Sequence, residues 1–219
     1  MSDAPISVLL VDDDPLVRTG LRLMLGGAGD IEVAGEVSDG SDVWEAVERL
    51  RPDVVLMDVR MPLVDGIAAT RRLTERGDAP QVIVLTTFDA DGTVLAALRA
   101  GAAGFLVKHS APEEIVAAVR RAAAGEPVLS PGVTRTLISH VAGPRDDRRG
   151  RARARLALLS ERERDVAMAV TSGRSNSEIA AELFMSVGTV KAHISSALTK
   201  LGMTNRIQLA LLAHDAAED

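Results

Sequence analysis

No cysteine occurs among the 219 residues, which excludes disulfide bridges and thiolate metal sites. No apolar stretch approaches the roughly 18 residues expected of a membrane-spanning helix; the aliphatic runs are strand-sized and interrupted by charge. The opening MSDAPISVLLVDDD lacks both the charged and the long apolar region of a secretory signal. A cytoplasmic protein with no membrane partner is therefore expected. What remains has an ordinary apolar content and enough length for one large or two small domains, each with a buried core.

The net charge of −6 is unevenly spread. Residues 1–144 hold 13 Lys/Arg against 21 Asp/Glu, whereas residues 145–219 hold 12 against 10. This suits an acidic module joined to one that tolerates a polyanion. The basic excess is too small to establish nucleic-acid binding, so the motifs must decide.

Over residues 1–125, short aliphatic runs alternate with helical patterns. Val8–Val11, Ile31–Val37, Val54–Met57, Val82–Leu85 and Gly104–Val107 predict five strands. Val17, Leu21 and Leu25, then Val43, Val47 and Leu50, then Ile115, Val116, Val119 and Ala123 predict intervening helices, the last opening at a Ser110/Glu113 capping box. A βα repeat of this kind builds a doubly wound parallel sheet. Asp12, Asp13 and Asp58 close two of the strand runs, and ligands of such sheets gather at the carboxyl ends of the strands. Three acids in one crevice raise one another's pKa values unless a hard cation neutralises them, which points to Mg2+.

Residues 126–155 read as a linker, with an apolar segment from Val133 to Val141 able to form a short helix. The basic run from Arg145 to Arg155 reads as a solvated tether, with phosphate contact as the sharper alternative. From Leu156 to Asp219 every apolar position fits helices. Ser160 with Glu163 and Ser175 with Glu178 are capping boxes, Ser186 is a third N-cap, and Thr204 or Asn205 opens a fourth helix. Within SNSEIAAELFMSVGTVKAHISSALTKL, a short helix, a turn near Phe184 to Ser186 and a longer helix form a helix-turn-helix whose second helix would read DNA.

Taken together, LLVDDDPLVR, DVVLMDVRMPLVDG, VIVLTTFDADG, AGAAGFLVK and LSERERDVAMAV with the helix-turn-helix stretch resemble a two-component response regulator of the NarL/FixJ family, over almost the whole chain. The resemblance implies a flavodoxin-like, five-stranded receiver domain at 1–125 and a small all-α LuxR-type domain at 156–219. It implies that Asp58 accepts a phosphoryl group, and that Asp12, Asp13, Asp58 and the Arg60 backbone carbonyl hold Mg2+. Lys108 would supply a cation, Thr86 the switch hydroxyl with Thr87 as its neighbour, and Phe105 the aromatic that follows the switch. Two residues depart from the pattern. His109 follows Lys108 where many receivers carry proline, and Arg60 sets a cation beside the acceptor.

In the second domain, Lys191, Ala192 and Ser195 match family positions that face base edges, while Thr189, His193 and Lys200 are better placed for phosphates. Glu163, Ile179, Ala180, Leu183, Val190, Ile194 and Leu198 fit internal packing. The implied partners are a sensor histidine kinase, double-stranded operator DNA, a second copy of the chain on activation, and RNA polymerase. Receiver contacts would lie on the first and last receiver helices; the stripe Ile207, Ala210, Leu211, His214 serves either effector pairing or core packing. Asp14 reads as an exposed acid and Trp44 as a packing residue. The favoured function is a phosphorylation-controlled, sequence-specific transcription regulator. Two alternatives stay open: a haloacid-dehalogenase-type phosphatase, which expects a second Asp where Arg60 stands, and a regulator that binds DNA without phosphorylation.

Overall fold

The computed structural model describes residues 4–75, 79–86, 91–126, 128–129 and 146–217. The chain divides into two compact units between Val133 and Thr134. In the first, β1 (Ile6–Val11), β2 (Ile31–Val37), β3 (Val54–Asp58), β4 (Gln81–Thr86), β5 (Gly104–Val107) and β6 (Val128–Leu129) form one sheet in the order β2-β1-β3-β4-β5-β6. Every described pairing is parallel. β3 is buried along its whole length, which explains why the sequence reads there as an unbroken aliphatic run. The two-residue β6 extends the five strands expected.

Helices α1 (Pro15–Gly26), α2 (Gly40–Leu50), α3 (Gly66–Thr74), α4 (Asp91–Arg99) and α5 (Pro112–Ala123) connect the strands. Leu21 and Leu25 of α1 and Ile115, Ala118, Val119 and Ala122 of α5 pack with Val8, Leu10, Val54, Leu56, Ile83 and Leu85 in one core cluster. The side-chain period of two along each strand sends the alternate residues to the opposite face. The start of α5 differs from expectation. Ala111, not Ser110, is the N-cap, and only the Glu114 carboxylate, accepting from Ala111 N–H at 3.2 Å, closes the first turn. An alanine side chain has no acceptor, so the box is one-sided.

The second unit is helical: α6 (Asp146–Leu156), α7 (Glu161–Val170), α8 (Asn176–Glu182), α9 (Val187–Leu201) and α10 (Arg206–Ala217). Residues 146–155, expected in the linker, belong to α6. Ala152 and Leu156, one helical turn apart, are buried in the core cluster of this unit with Val166, Ile179, Val190, Ile194 and Leu209. They stand four positions apart, so the arginine-rich helix hides an apolar stripe. The expected helix at 133–141 lies outside the described residues. Both capping boxes form: Ser160 with Glu163 and Ser175 with Glu178 satisfy each other's backbone N–H groups. Ser186 accepts from Thr189 N–H at 3.0 Å, and Asn205 accepts from Gln208 N–H at 2.8 Å, opening α9 and α10. No helix is long and apolar enough to cross a membrane among the described residues.

Candidate functional site

Four adjacent strands deliver the receiver residues to one edge of the sheet. Asp12 and Asp13 follow β1, Asp58 ends β3, Thr86 ends β4 and Lys108 follows β5. The strand order reverses between β1 and β3, which opens the crevice where such sheets bind ligands. Asp12 is fully buried and Asp58 nearly so, while Asp13 is exposed. Ligand oxygens of Asp12, Asp13 and Asp58 lie within 4.8 Å of one another.

One lysine serves two of these acids: Lys108 Nζ stands 2.7 Å from Asp12 Oδ2 and 3.0 Å from Asp58 Oδ1. Its own backbone N–H donates to the Thr86 carbonyl at 2.7 Å, fastening β5 to β4 at the pocket. Asp58 Oδ1 also accepts from Val59 N–H at 2.8 Å. Burial pushes the Asp58 carboxyl above the usual carboxylate range and the Asp12 charge adds to it, against the pull of Lys108 and the Val59 N–H. For Lys108, burial favours the neutral amine, but the two carboxylates outweigh it and raise its pKa.

The donor set suits a hard divalent cation. Mg2+ favours oxygen ligands and binds through one or two carboxylates while keeping several waters. Asp12 Oδ2 is buried and, although Lys108 is close, accepts no well-angled hydrogen bond; the exposed Asp13 leaves room for waters. Asp12 Oδ1 is occupied by the Asp14 N–H at 3.0 Å, and Asp14 itself, exposed, caps α1 by accepting from Leu16 N–H. Arg60 is exposed on the loop after β3 and lines a shallow groove with Met61, Ile67 and Arg71. No peptide bond among the described residues is cis, the Lys108–His109 bond included. Thr86 and Phe105 are buried, and the register pairs Val84 with Phe105 and Thr86 with Val107. Thr86 and Phe105 therefore share a face of the sheet. Thr87 lies outside the described residues.

Sequence reasoning missed two groups that shape this pocket. Arg18 on α1 donates to the Asp12 backbone carbonyl at 2.5 Å and to Glu36 Oε2 on β2 at 3.2 Å. Asp39, buried ahead of α2, accepts three backbone N–H bonds. Arg18 stands four residues beyond the N-cap of α1, so a helix-face position was legible, but its partners were not.

In the helical unit, Thr189, Lys191, Ala192 and Ser195 are exposed on α9 and His193 is half-buried. Val190, Ile194, Ala197 and Leu201 fill the buried face of the same helix. Lys200 is also exposed, but its ammonium is 2.7 Å from Oε2 of the buried Glu163, whose Oε1 accepts from the Ser196 hydroxyl at 2.6 Å. Lys200, Ser196 and the Ser160 N–H together hold the Glu163 carboxyl at about 2. Lys200 thus anchors α9 to the start of α7. Phe184, at the turn between α8 and α9, has φ 53 and is 97% exposed.

A strand-end acid pocket on a doubly wound sheet, followed in the same chain by a helix-turn-helix, defines a switch module coupled to a DNA-reading module. The comparisons agree. Residues 8–120 match the response regulator receiver domain, and residues 157–213 match the bacterial regulatory proteins of the luxR family. The transcriptional regulatory protein LiaR of Bacillus subtilis is 40% identical over 95% of this chain and 97% of its own. Among solved structures, the response regulator ChrA of a heme-sensing two-component system has 38% identity and a TM-score of 0.54, covering 96% of this chain and 97% of its own. RcsB, solved as two dimers bound to two parallel DNAs, has 25% identity and a TM-score of 0.57 over 98% of this chain and all of its own. The chain belongs to the two-component response regulators of the NarL/FixJ family, as a transcription regulator with a LuxR-type DNA-binding domain rather than an enzyme.

Proposed function

We propose that Asp58 accepts a phosphoryl group from a sensor histidine kinase and that the phosphorylated chain binds operator DNA as a dimer. One observation carries the reading: Lys108 is shared by Asp12 and Asp58 in a buried strand-end pocket. Asp58 Oδ1 is engaged by Lys108 and Val59 N–H, which leaves Oδ2 as the nucleophile. An O–P bond forms at Oδ2 while the P–N bond of the phosphohistidine breaks, and the imidazole leaves with that electron pair. Asp12, Asp13, Asp58 and the Arg60 carbonyl would hold Mg2+, which neutralises charge on the transferring group when bound. Lys108 stabilises the same charge from the protein side. Thr86 then donates its hydroxyl to a phosphoryl oxygen, and Phe105, on the same sheet face, repacks with it.

On DNA, Lys191 is the α9 side chain with reach to a base edge; Ala192 and Ser195 contribute short contacts, and Thr189 and His193 flank them toward phosphates. Lys200 reaches phosphate only by loosening its bond to Glu163. A dimer doubles the reading surface, and RcsB, bound to DNA as dimers, supports that assembly. Such a regulator works in the cytoplasm, and its promoter-bound form meets RNA polymerase. The test is incubation with a small acyl phosphate, with and without Mg2+, followed by operator titration. Mg2+-dependent labelling that tightens operator binding is expected. Operator binding indifferent to labelling would overturn the coupling.

A further inference from the structure

Asp39 is a buried carboxylate outside the acidic pocket. As N-cap of α2 it needs only one bond, the Ser41 N–H to Oδ1 at 2.9 Å. It makes two more, and both are long-range. Leu63 N–H donates to Oδ2 at 2.8 Å and Val64 N–H to Oδ1 at 3.1 Å, across 24 and 25 residues of chain. Those donors lie in the loop that leaves β3 at Asp58 and passes through Arg60 before α3. Burial alone would raise the Asp39 carboxyl, yet the backbone donors lower it, so the carboxylate stays charged in place.

The same loop is fitted to its surroundings by two glycines. A Cβ on Gly40 would come within 2.4 Å of the Val64 carbonyl oxygen, and one on Gly66 within 1.9 Å of the Asp58 carbonyl oxygen. Gly66 N–H closes the loop on the Val59 carbonyl at 3.0 Å. The segment is thus closed between 59 and 66 and tethered at 63 and 64, with Arg60 between the two restraints.

We propose that Asp39 is a positioning residue for the metal and the phosphoryl group: by clamping Leu63 and Val64 it fixes the path of the loop that carries the Arg60 carbonyl. The inference rests on the phosphoacceptor reading above. Outer groups bonded directly to metal ligands are worth roughly 10- to 100-fold in metal affinity, and Asp39 acts one step further out, through Leu63 and Val64, three and four residues along the loop from Arg60. In Asp39→Asn the amide carbonyl replaces only one of the two accepting oxygens, and the amide nitrogen confronts a backbone N–H, so the clamp loosens. Asp39→Ser keeps an N-cap for α2 and removes the reach to the loop.

The experiment uses the full chain and Mg2+ alone, titrated by calorimetry without phosphodonor, alongside thermal melting. Asp39→Asn and Asp39→Ser should weaken Mg2+ binding by roughly 10-fold, the low end of the range for groups bonded to the ligands, and phosphorylation by a small acyl phosphate should recover at high Mg2+. Asp53→Asn is the control, because its Oδ2 accepts from Ser7 N–H at 2.8 Å near the opposite ends of β1 and β3. It should lower the melting temperature and leave the Mg2+ affinity alone. If either Asp39 variant folds with wild-type Mg2+ affinity while Asp58 is still labelled, the clamp is refuted and the phosphoacceptor reading survives. An equal loss of Mg2+ affinity in Asp53→Asn also refutes it, since general loosening would then suffice. A wild-type chain that binds no Mg2+ and takes no label overturns both readings.

Discussion

Each unit of this chain contains a lysine held against buried carboxylate, and the two arrangements have opposite electrostatic character. In the helical unit, Glu163 receives Lys200, the Ser196 hydroxyl and the Ser160 N–H, so one negative charge meets a cation and further donors. Its carboxyl falls to about 2. In the receiver, Lys108 is the one cation shared by Asp12 and Asp58 among the described residues, each acid takes a single backbone N–H besides, from Asp14 and Val59, and Asp13 stands beside them. There the Asp58 carboxyl is raised by burial and by Asp12. A saturated carboxylate is a structural joint; an undercompensated cluster is poised to take a cation and an electrophile. The difference lies in burial, which dominates at Asp58 with the Asp12 charge added to it, and in the donors, which outweigh burial at Glu163.

The comparison can be broken at several points, beginning with the largest effect. Thr86→Ala should accept phosphate at Asp58 yet lose most of the phosphorylation-induced gain in operator affinity, because the hydroxyl proposed to bond a phosphoryl oxygen is gone. Parallel labelling and binding titrations check it, and a variant activated like the wild type would remove Thr86 from the switch. Next, Lys191→Ala should cost about 1–3 kcal/mol on operator DNA and relax preference at one position per half-site. A loss of equal size on scrambled duplex would make Lys191 a phosphate contact instead.

Glu163→Gln should destabilise the helical unit by about 1–2 kcal/mol, a figure held down because Lys200 is partly exposed. Denaturant melts of the full chain, followed through each unit, provide the measurement. The pH dependence has a definite sign. The folded-state value of about 2 lies below the ordinary 4.5, so the contribution is present above about pH 4.5 and is lost as pH falls toward 2. Wild type and Glu163→Gln should therefore converge in acid; a constant gap across that window would contradict the saturated-joint account.

The smallest effect has the opposite direction. Because the folded-state value of Asp58 is raised, its ionised form destabilises the folded receiver at neutral pH, and the cost fades as pH falls. Asp58→Asn should raise the receiver's melting temperature in Mg2+-free buffer at neutral pH. A lowered melting temperature would show that the Lys108 bond outweighs burial.

The legibility of these features follows from their range in sequence. Strands buried on both faces read directly as aliphatic runs, so β1 and β3 to β5 were visible, β2 was visible from its valines though only Ile31 is buried, and capping boxes at Ser160 and Ser175 were visible because cap and partner lie three residues apart. At Ser110 the same local rule misled by one position, since Pro112 set the first turn and Ala111 took the cap. Helix α6 was hidden by its arginines: among its described side chains Ala152 and Leu156 are the ones buried in the core, and that short stripe is outvoted by charge when composition is read alone. The acidic pocket was legible because each acid or lysine follows a strand run. What was not legible is long-range. Lys200 reads as a phosphate contact until Glu163, 37 residues away, is seen beside it, and Asp39, which sequence reasoning did not single out, is tied to Leu63 and Val64, 24 and 25 residues away.

The most direct test of the contrast between the two carboxylates is to find where phosphate goes. Wild type, Asp58→Asn and Glu163→Gln are incubated with a small acyl phosphate and Mg2+, and the label is mapped by peptide mass spectrometry. The account predicts one acid-stable, base-labile phosphoryl group at Asp58 in wild type and Glu163→Gln, and none in Asp58→Asn. Label retained in Asp58→Asn at the wild-type level, or found on another carboxylate of the wild type, would contradict it.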